Sequence, residues 1–430
     1  MNEISLSTRD KQVIWHPYTQ HQQADLPIPV VRAEAALLFD DAGNSYIDAI
    51  SSWWVNIHGH AHPYIAEKIY QQAMQLEHVI FTGFTHEPAV QLAERLLKIL
   101  PGNFEKIFYS DNGSTAVEVA LKMAIQYWRN KDQPQRNKIL AFRHAYHGDT
   151  FGAMSVSGRG LFTEAFQDFL FEVLFIDTPD ENNEAQTKAF IESHGDEIAC
   201  FIYEPLLQAA GGMRMYPASG LDSLLKTIKE NHILCIADEV LTGFGRTGTF
   251  FASESISAKA DIMCLSKGIT GGTIALGGTA STDEIFNAFL SEDRRRTFFH
   301  GHSYTANPIA CAAGLASLDL LQKKACIDQI QAITKKNKNF LTDRLSNAGA
   351  DGTLNPRTIG TVLAFELNND QHDYISSIGG LIRQKAMQEG IYLRPLGNTI
   401  YIMPPYCITD EQLEKIYRFL LTIPGMIRKI

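Results

Sequence analysis

Lys267 and Asp238 are the residues whose types and spacing point most directly to chemistry. Each follows a short apolar run. Ile233-Leu234-Cys235-Ile236-Ala237 breaks off at Asp238-Glu239, and Ile262-Met263-Cys264-Leu265 ends in Ser266-Lys267-Gly268. Between them lies a glycine-rich turn, Gly243-Phe244-Gly245-Arg246-Thr247-Gly248. An amine can hold an aldehyde as a Schiff base, and a carboxylate can keep a pyridine nitrogen protonated so that the ring accepts electrons. These are the two attachments pyridoxal phosphate requires of a protein. Each residue also has a plainer reading, Asp238 as a turn or helix cap and Lys267 as a solvated surface lysine. Together, with the glycine-rich turn, they favour the cofactor.

Short apolar runs bounded by turn signals suit buried strands of a parallel sheet. In open α/β sheets the working groups gather beyond the carboxyl ends of such strands. Lys106-Ile107-Phe108-Tyr109 reads as another strand. It leads through Ser110-Asp111-Asn112-Gly113-Ser114-Thr115 into a helix from Ala116 to Trp128. That helix start could bind an anion, or simply be capped by Ser114 or Thr115. Ile139 to Phe142 is a strand that runs into Tyr146, which could stack on a flat ring or pack on the surface. Leu174 to Ile176 and Cys200 to Tyr203 are two more strands, the second finished by Glu204-Pro205. Strands alternating with helical segments from Tyr109 to Leu265 predict a large α/β domain with a mainly parallel sheet.

On the N-terminal side, Val31 to Leu38 and Asp40 to Asp48 read as strand, turn, strand. The histidines of His58-Gly59-His60-Ala61-His62 have no nearby cysteine or carboxylate to complete a set, and the expectation is a loop with no metal. Past Lys267, Gly271-Gly272 and Gly277-Gly278 punctuate an apolar stretch. The last hundred residues read as a small α/β unit. It has a helix to about Ala348, a strand Thr361 to Leu367, a helix near Tyr374 to Glu389, Ile391 to Met403, and a final helix from Asp410. Arg394 within it could hold a carboxylate or form an exposed ion pair. The expected division is 1–60 with 316–430 as the small domain and 61–315 as the large, cofactor-binding one.

Composition narrows the class. The 430 residues are 45% hydrophobic and 20% charged, ordinary for a globular protein, and the net charge of −10 argues against a nucleic-acid surface. Arg294-Arg295-Arg296 reads as a solvated loop. Six scattered cysteines lack any Cys-x-x-Cys pair, and several lie in apolar runs, which suits a reducing compartment. The polar start and the lack of a ~20-residue apolar run predict a cytoplasmic protein that does not enter a membrane.

Ala237-Asp238-Glu239-Val240, Gly243 to Gly248 and Ser266-Lys267-Gly268 together resemble the class III, or ω-type, aminotransferases of pyridoxal-phosphate fold type I. The resemblance implies that Lys267 carries the Schiff base and serves as base and acid, while Asp238 pairs with the pyridine nitrogen. Gly113 and Ser114 would hold the cofactor phosphate, and Tyr146 would lie over the ring and border the substrate. Tyr18, a catalytic candidate, and Trp53 would line the pocket, and Arg394 would meet a substrate carboxylate. Gly301, His302 and Ser303 match a segment that reaches the active site of a second subunit, Gly301 toward substrate, His302 and Ser303 toward phosphate. The active unit would then be a homodimer. Here the sequence departs from the family pattern, with Gly-His-Ser where many relatives have Gly-Pro-Thr.

Further segments narrow the resemblance to the branch serving biotin synthesis. They are Trp15-His16-Pro17-Tyr18-Thr19, Ser51-Ser52-Trp53-Trp54, Tyr146-His147-Gly148-Asp149-Thr150, Gly211 to Met215, and Arg394-Pro395-Leu396 with Tyr401 to Tyr406. That likeness implies S-adenosylmethionine as amino donor, 8-amino-7-oxononanoate as acceptor and 7,8-diaminononanoate as product. Lysine as donor, or another ω-amino acid or diamine, stays open. An NAD-dependent dehydrogenase would need Gly-x-Gly-x-x-Gly after an early strand, and the segment after Tyr109 has only Gly113.

Overall fold

The computed structural model describes residues 4–345, 353–368 and 377–427. After a short helix, Leu6–Val13, three strands run antiparallel: β1 (Val30–Glu34), β2 (Leu37–Asp40) and β3 (Ser45–Asp48). The single strand expected over Val31 to Leu38 is therefore two. Ala35 takes φ +50° and exchanges backbone hydrogen bonds with His60, which turns the chain between β1 and β2. Ala35-Ala36 carries no glycine or proline, so nothing local announces the break.

The large sheet contains β4 (Phe104–Ser110), β5 (Lys138–Phe142), β6 (Leu174–Ile176) and β7 (Ile198–Tyr203). A small hairpin, β8 (Leu207–Gln208) with β9 (Arg214–Met215), lies apart from it. The large sheet is completed by β10 (Leu234–Asp238), β11 (Ile262–Leu265) and β12 (Gly277–Thr282). Its order is β4-β12-β11-β10-β7-β5-β6. All neighbours run parallel except β12, which is antiparallel to both β4 and β11. The expected mainly parallel α/β sheet is present, and its central strands β7, β10 and β11 are buried at every position, as parallel strands covered on both faces are.

β12 is the strand that pattern reading missed. Gly277-Gly278 looked like punctuation, yet small residues are what this position demands. A Cβ on Gly277 would lie 2.5 Å from Asn112 O and Ser110 Oγ. Thr279 Oγ1 donates to Ala116 O at 2.8 Å, fastening the helix Gly113–Asn130 onto the strand.

Toward the C-terminus, β13 (Thr353–Ile359), β14 (Val362–Leu367) and β16 (Thr399–Ile402) form an antiparallel sheet, while β15 (Ile391–Tyr392) pairs in parallel with β3. Both ends of the chain thus share one sheet. Helices Lys324–Asn339, Ser377–Gln388 and Asp410–Ile427 accompany these strands. The expected helix start near Tyr374 and the end near Ala348 lie outside the described residues. Arg294–Arg296 forms a 3₁₀ turn in which Arg296 donates to Asn130 O at 2.9 Å, so this run is tied down at one end. Among the described residues no helix is long and apolar enough to cross a membrane.

Candidate active site

A cavity of 610 Å³ opens beyond the carboxyl ends of the parallel strands. Asp238 is the last residue of β10, Lys267 follows β11 by two residues, and Glu204 directly follows β7. All three line the cavity.

Asp238 is buried and fixed. Its Oδ2 accepts from His147 Nδ1 at 2.6 Å and its Oδ1 from Val240 N at 3.1 Å. His147 is itself buried, its backbone N–H held by Ser157 Oγ at 2.9 Å, and its Nε2 has no hydrogen-bond partner among the described residues. A carboxylate held in place by a neighbouring imidazole is well set to meet a ring nitrogen.

Lys267 adopts φ +45°, uncommon for a residue with a side chain, and extends into the cavity. Desolvation pushes its ammonium pKa down to about 8, against the opposing pull of Asp238 and Glu204 and with a further push from Arg246. An amine with this pKa is partly neutral near physiological pH and can attack a carbonyl. Glu204 is enclosed, and burial pushes its carboxyl up to about 7. Its two oxygens accept from Tyr146 N (3.0 Å) and Ala209 N (3.1 Å), which fastens the segment carrying Tyr146 to the end of β7.

The helix Gly113–Asn130 points its start at the same space. Neither Ser114 nor Thr115 is the cap: Asn112 caps it, its Oδ1 accepting from Thr115 N at 2.9 Å, while Asn112 N donates to Thr115 Oγ1 at 3.2 Å. The first-turn amides of Gly113 and Ser114 have no acceptor within the helix, and the dipole end there favours an anion. The loop from Tyr146 packs tightly over this start. Gly148 takes φ +133°, and a Cβ there would lie 2.0 Å from Ser114 Oγ. Ser114 Oγ accepts from Asp149 N at 3.1 Å, and Asp149 Oδ2 accepts from Tyr18 Oη at 2.6 Å. Tyr18 Oη also lies 3.5 Å from Tyr146 Oη, so the polar rim runs from the helix start to Tyr18.

Tyr18, Trp53 and Trp54 form an aromatic wall. The two tryptophans come from an unusual backbone. Ser51, Ser52, Trp53 and Trp54 all have positive φ (52°, 43°, 69° and 76°), so they form a left-handed turn. Left-handed helical geometry costs about 1–2 kcal/mol per such residue. The turn is held by Ser51 Oγ donating to Met403 O (2.7 Å), Ser52 Oγ donating to Asp48 Oδ2 (2.7 Å) and Val55 N donating to Ser51 O (3.0 Å). Trp53 meets Tyr18 edge-on at 5.6 Å, and the Arg394 guanidinium lies 3.9 Å from its ring centroid. Arg394 thus belongs to this wall.

Arg246, His58 and His60 hold the framework around the cavity. Arg246, fully enclosed, donates to Pro404 O (2.9 Å) and to Trp54 O and Asn56 O (both 3.3 Å), clamping both chain ends against the large sheet. His60 Nε2 donates to Asp48 Oδ2 at 2.9 Å, and burial lowers His58 to a pKa of about 3, so it stays neutral beside Ser317 Oγ. Gly301, His302 and Ser303 are not in the lining of this cavity, and Gly301 and Ser303 are exposed. Where the family pattern has proline, a tight turn is made differently: His302 N donates to Thr305 Oγ1 (3.2 Å), and Thr305 Oγ1 donates to His302 O (2.8 Å).

The sequence alone assigns no role to His147 or Glu204. Spacing could not pair His147 with Asp238, which is 91 residues away.

The chain matches the family description Aminotransferase class-III over residues 18–423. The chain belongs to the class III aminotransferases. It is 48% identical over 415 residues to the adenosylmethionine-8-amino-7-oxononanoate aminotransferase of Synechococcus elongatus, covering 94% of this chain and 96% of that one. The crystal structure of the enzyme of the same name from Methanocaldococcus jannaschii is 36% identical, covers 98% of both chains and superposes with a TM-score of 0.93. An (S)-enantioselective omega-transaminase from Thermomicrobium roseum is 30% identical with a TM-score of 0.91 over 98% of both chains. The fold is the one those transaminases share. Class III aminotransferases work with pyridoxal phosphate, and the groups gathered here fit it: an amine of lowered pKa, a fixed buried carboxylate, and a helix start whose overlying loop leaves no room for a Cβ at Gly148.

Proposed function

We propose that this aminotransferase moves the amino group of S-adenosylmethionine to 8-amino-7-oxononanoate, giving 7,8-diaminononanoate, a step of biotin synthesis. The observation that carries the reading is one cavity in which Lys267, the Asp238–His147 pair and the start of helix Gly113–Asn130 face the wall of Tyr18, Trp53 and Trp54. Lys267 would hold the aldehyde of pyridoxal phosphate, Asp238 its ring nitrogen, Gly113 and Ser114 its phosphate, and Tyr146 its face. When bound, the cofactor supplies a carbonyl for the amino group and a ring that spreads charge left by proton removal.

The chain's own groups do the rest. Lys267 Nζ, as a neutral amine, takes a proton from the substrate carbon that bears nitrogen, and as ammonium gives a proton back. Asp238, fixed by His147, keeps negative charge where positive charge must persist. The aromatic wall suits both partners in turn, a sulfonium nucleoside by cation–π or stacking contact and an aliphatic chain by apolar burial. Arg394 meets the carboxylate of the keto acid by a paired hydrogen bond.

We further propose a homodimer, in which Gly301, His302 and Ser303 serve the second subunit's site. Exposed Phe299 and Tyr304 flank them, and large exposed apolar residues favour burial against a partner. The two-domain division near residues 60 and 315 belongs to the same reading, as does a cytoplasmic location for a chain with six free thiols.

The test is single-turnover absorbance of the protein loaded with pyridoxal phosphate. S-adenosylmethionine alone should convert the bound cofactor to its amine form, and 8-amino-7-oxononanoate should reverse it. Conversion by lysine instead would overturn the donor. Silence with both in a loaded protein would favour another ω-amino substrate, the reading to which the Thermomicrobium roseum likeness lends weight.

Two further outcomes are expected. Because only the neutral amine attacks, cofactor loading should accelerate as pH rises through about 8 and level off above it. A rate flat from pH 6 to 10 contradicts this. Arg394→Ala should raise the KM for the keto acid about 10- to 100-fold, a loss of about 1.5–3 kcal/mol. It should change the KM for S-adenosylmethionine far less, as steady-state kinetics with each substrate varied will show.

A further inference from the structure

Lys267 Nζ lies over the ring of Trp54, 5.1 Å from its centroid. That is within the range at which a cation and an indole face attract. The indole is fixed from three sides. Its Nε1 donates to Tyr401 Oη at 2.9 Å. Its ring meets the Tyr401 ring edge-on, with centroids 6.1 Å apart. Its backbone ends the left-handed turn, at φ +76°. Trp54 is 5% exposed, whereas Trp53 is 40% exposed and lies against Arg394. The adjacent tryptophans therefore face different cations, one at the mouth and one at the floor. Unfavourable backbone angles persist only where the surroundings enforce them, and they gather at working sites.

We propose that Trp54 is a positioning residue for Lys267: its indole face receives the ε-ammonium whenever the amine is not covalently engaged, and the bond to Tyr401 fixes where that face lies. The inference rests on Lys267 being the working amine of the proposed function. A lysine on a four-carbon stem has many rotamers, and the ring restricts which of them the free ammonium takes. The other charged groups that bear on it are Asp238 and Glu204, which favour the charged form, and Arg246, which opposes it along with burial. A third carboxylate there would hold the amine charged. A ring face attracts the ammonium more weakly, so the amine can still lose its proton. Through Trp54, β16 of the C-terminal sheet is joined to the lysine that follows β11 of the large sheet.

The experiment replaces Trp54 by mono-, di- and tetrafluorotryptophan in the full-length protein. This series nearly preserves size and keeps Nε1–H while withdrawing negative charge from the ring face. Lys267 protonation is read, after removal of any carbonyl cofactor, from the pH dependence of its acetylation by peptide mass spectrometry. The midpoint should fall with each step, by about one pH unit across the series. Tyr401→Phe, with native tryptophan, should lower it as well. A flat series overturns the role of the ring face, and an unchanged midpoint in Tyr401→Phe overturns the role of the anchor. The readout uses neither cofactor nor substrate. Falling midpoints without amino transfer would refute the proposed function alone, and amino transfer with a flat series would refute this inference alone.

Discussion

Lys267→Ala should lower amino transfer by about 10⁴-fold, because one nitrogen is asked to do two jobs. It would hold the cofactor covalently, and once free it would carry the proton. Among the described residues no second amine lines the cavity. The substitution should leave the fold standing. Lys267 follows β11 at φ +45°, an angle alanine meets with about the same strain, and a poorly solvated ammonium is removed rather than a packed apolar group. The unfolding free energy should therefore change by no more than about 1 kcal/mol. Single-turnover kinetics and denaturant unfolding check the two halves. Retention of more than a hundredth of the activity would remove Lys267 from its assigned role. A companion check is borohydride reduction of the loaded protein, which should tag the peptide containing Lys267 in the parent and leave it untagged in the variant.

Asp238→Asn should lower kcat by about 10²- to 10³-fold with a smaller effect on KM, the range found when a preorganised electrostatic group is removed. Asparagine keeps the shape of the side chain but not its charge. It also cannot satisfy both present partners, since Asp238 accepts from His147 Nδ1 and from Val240 N. Whichever way the amide is turned, its NH₂ faces a donor unless His147 changes tautomer. The buried mismatch should cost about 1–3 kcal/mol of stability. Measuring kcat and KM for each half-reaction beside the unfolding curve separates the two losses. An unchanged kcat in a destabilised protein would make Asp238 a structural residue only.

The parts of the site that were legible lie at the ends of short apolar runs. Asp238 and Lys267 close β10 and follow β11, and such runs followed by turn residues carry their meaning locally. The start of helix Gly113–Asn130 was legible for the same reason, except that Asn112 is its cap. β12 was not legible, because the small residues that let it slip beneath that helix read as turn signals in one dimension. The break at Ala35 was hidden because its cause is a backbone pairing with His60, 25 residues on.

By itself, the sequence determined the class of chemistry and the kind of scaffold: strands, a lysine, a carboxylate, an anion-binding helix start and the motif that joins them to a family. Only the tertiary structure decided which groups act on one another. His147 holds Asp238 across 91 residues, Arg246 ties both chain ends to the large sheet, and Tyr401 fixes the tryptophan that faces Lys267 across 347. The division has a physical reason. Hydrophobic period and turn chemistry are properties of neighbours in the chain, whereas hydrogen bonds, burial and the pKa shifts they cause belong to neighbours in space.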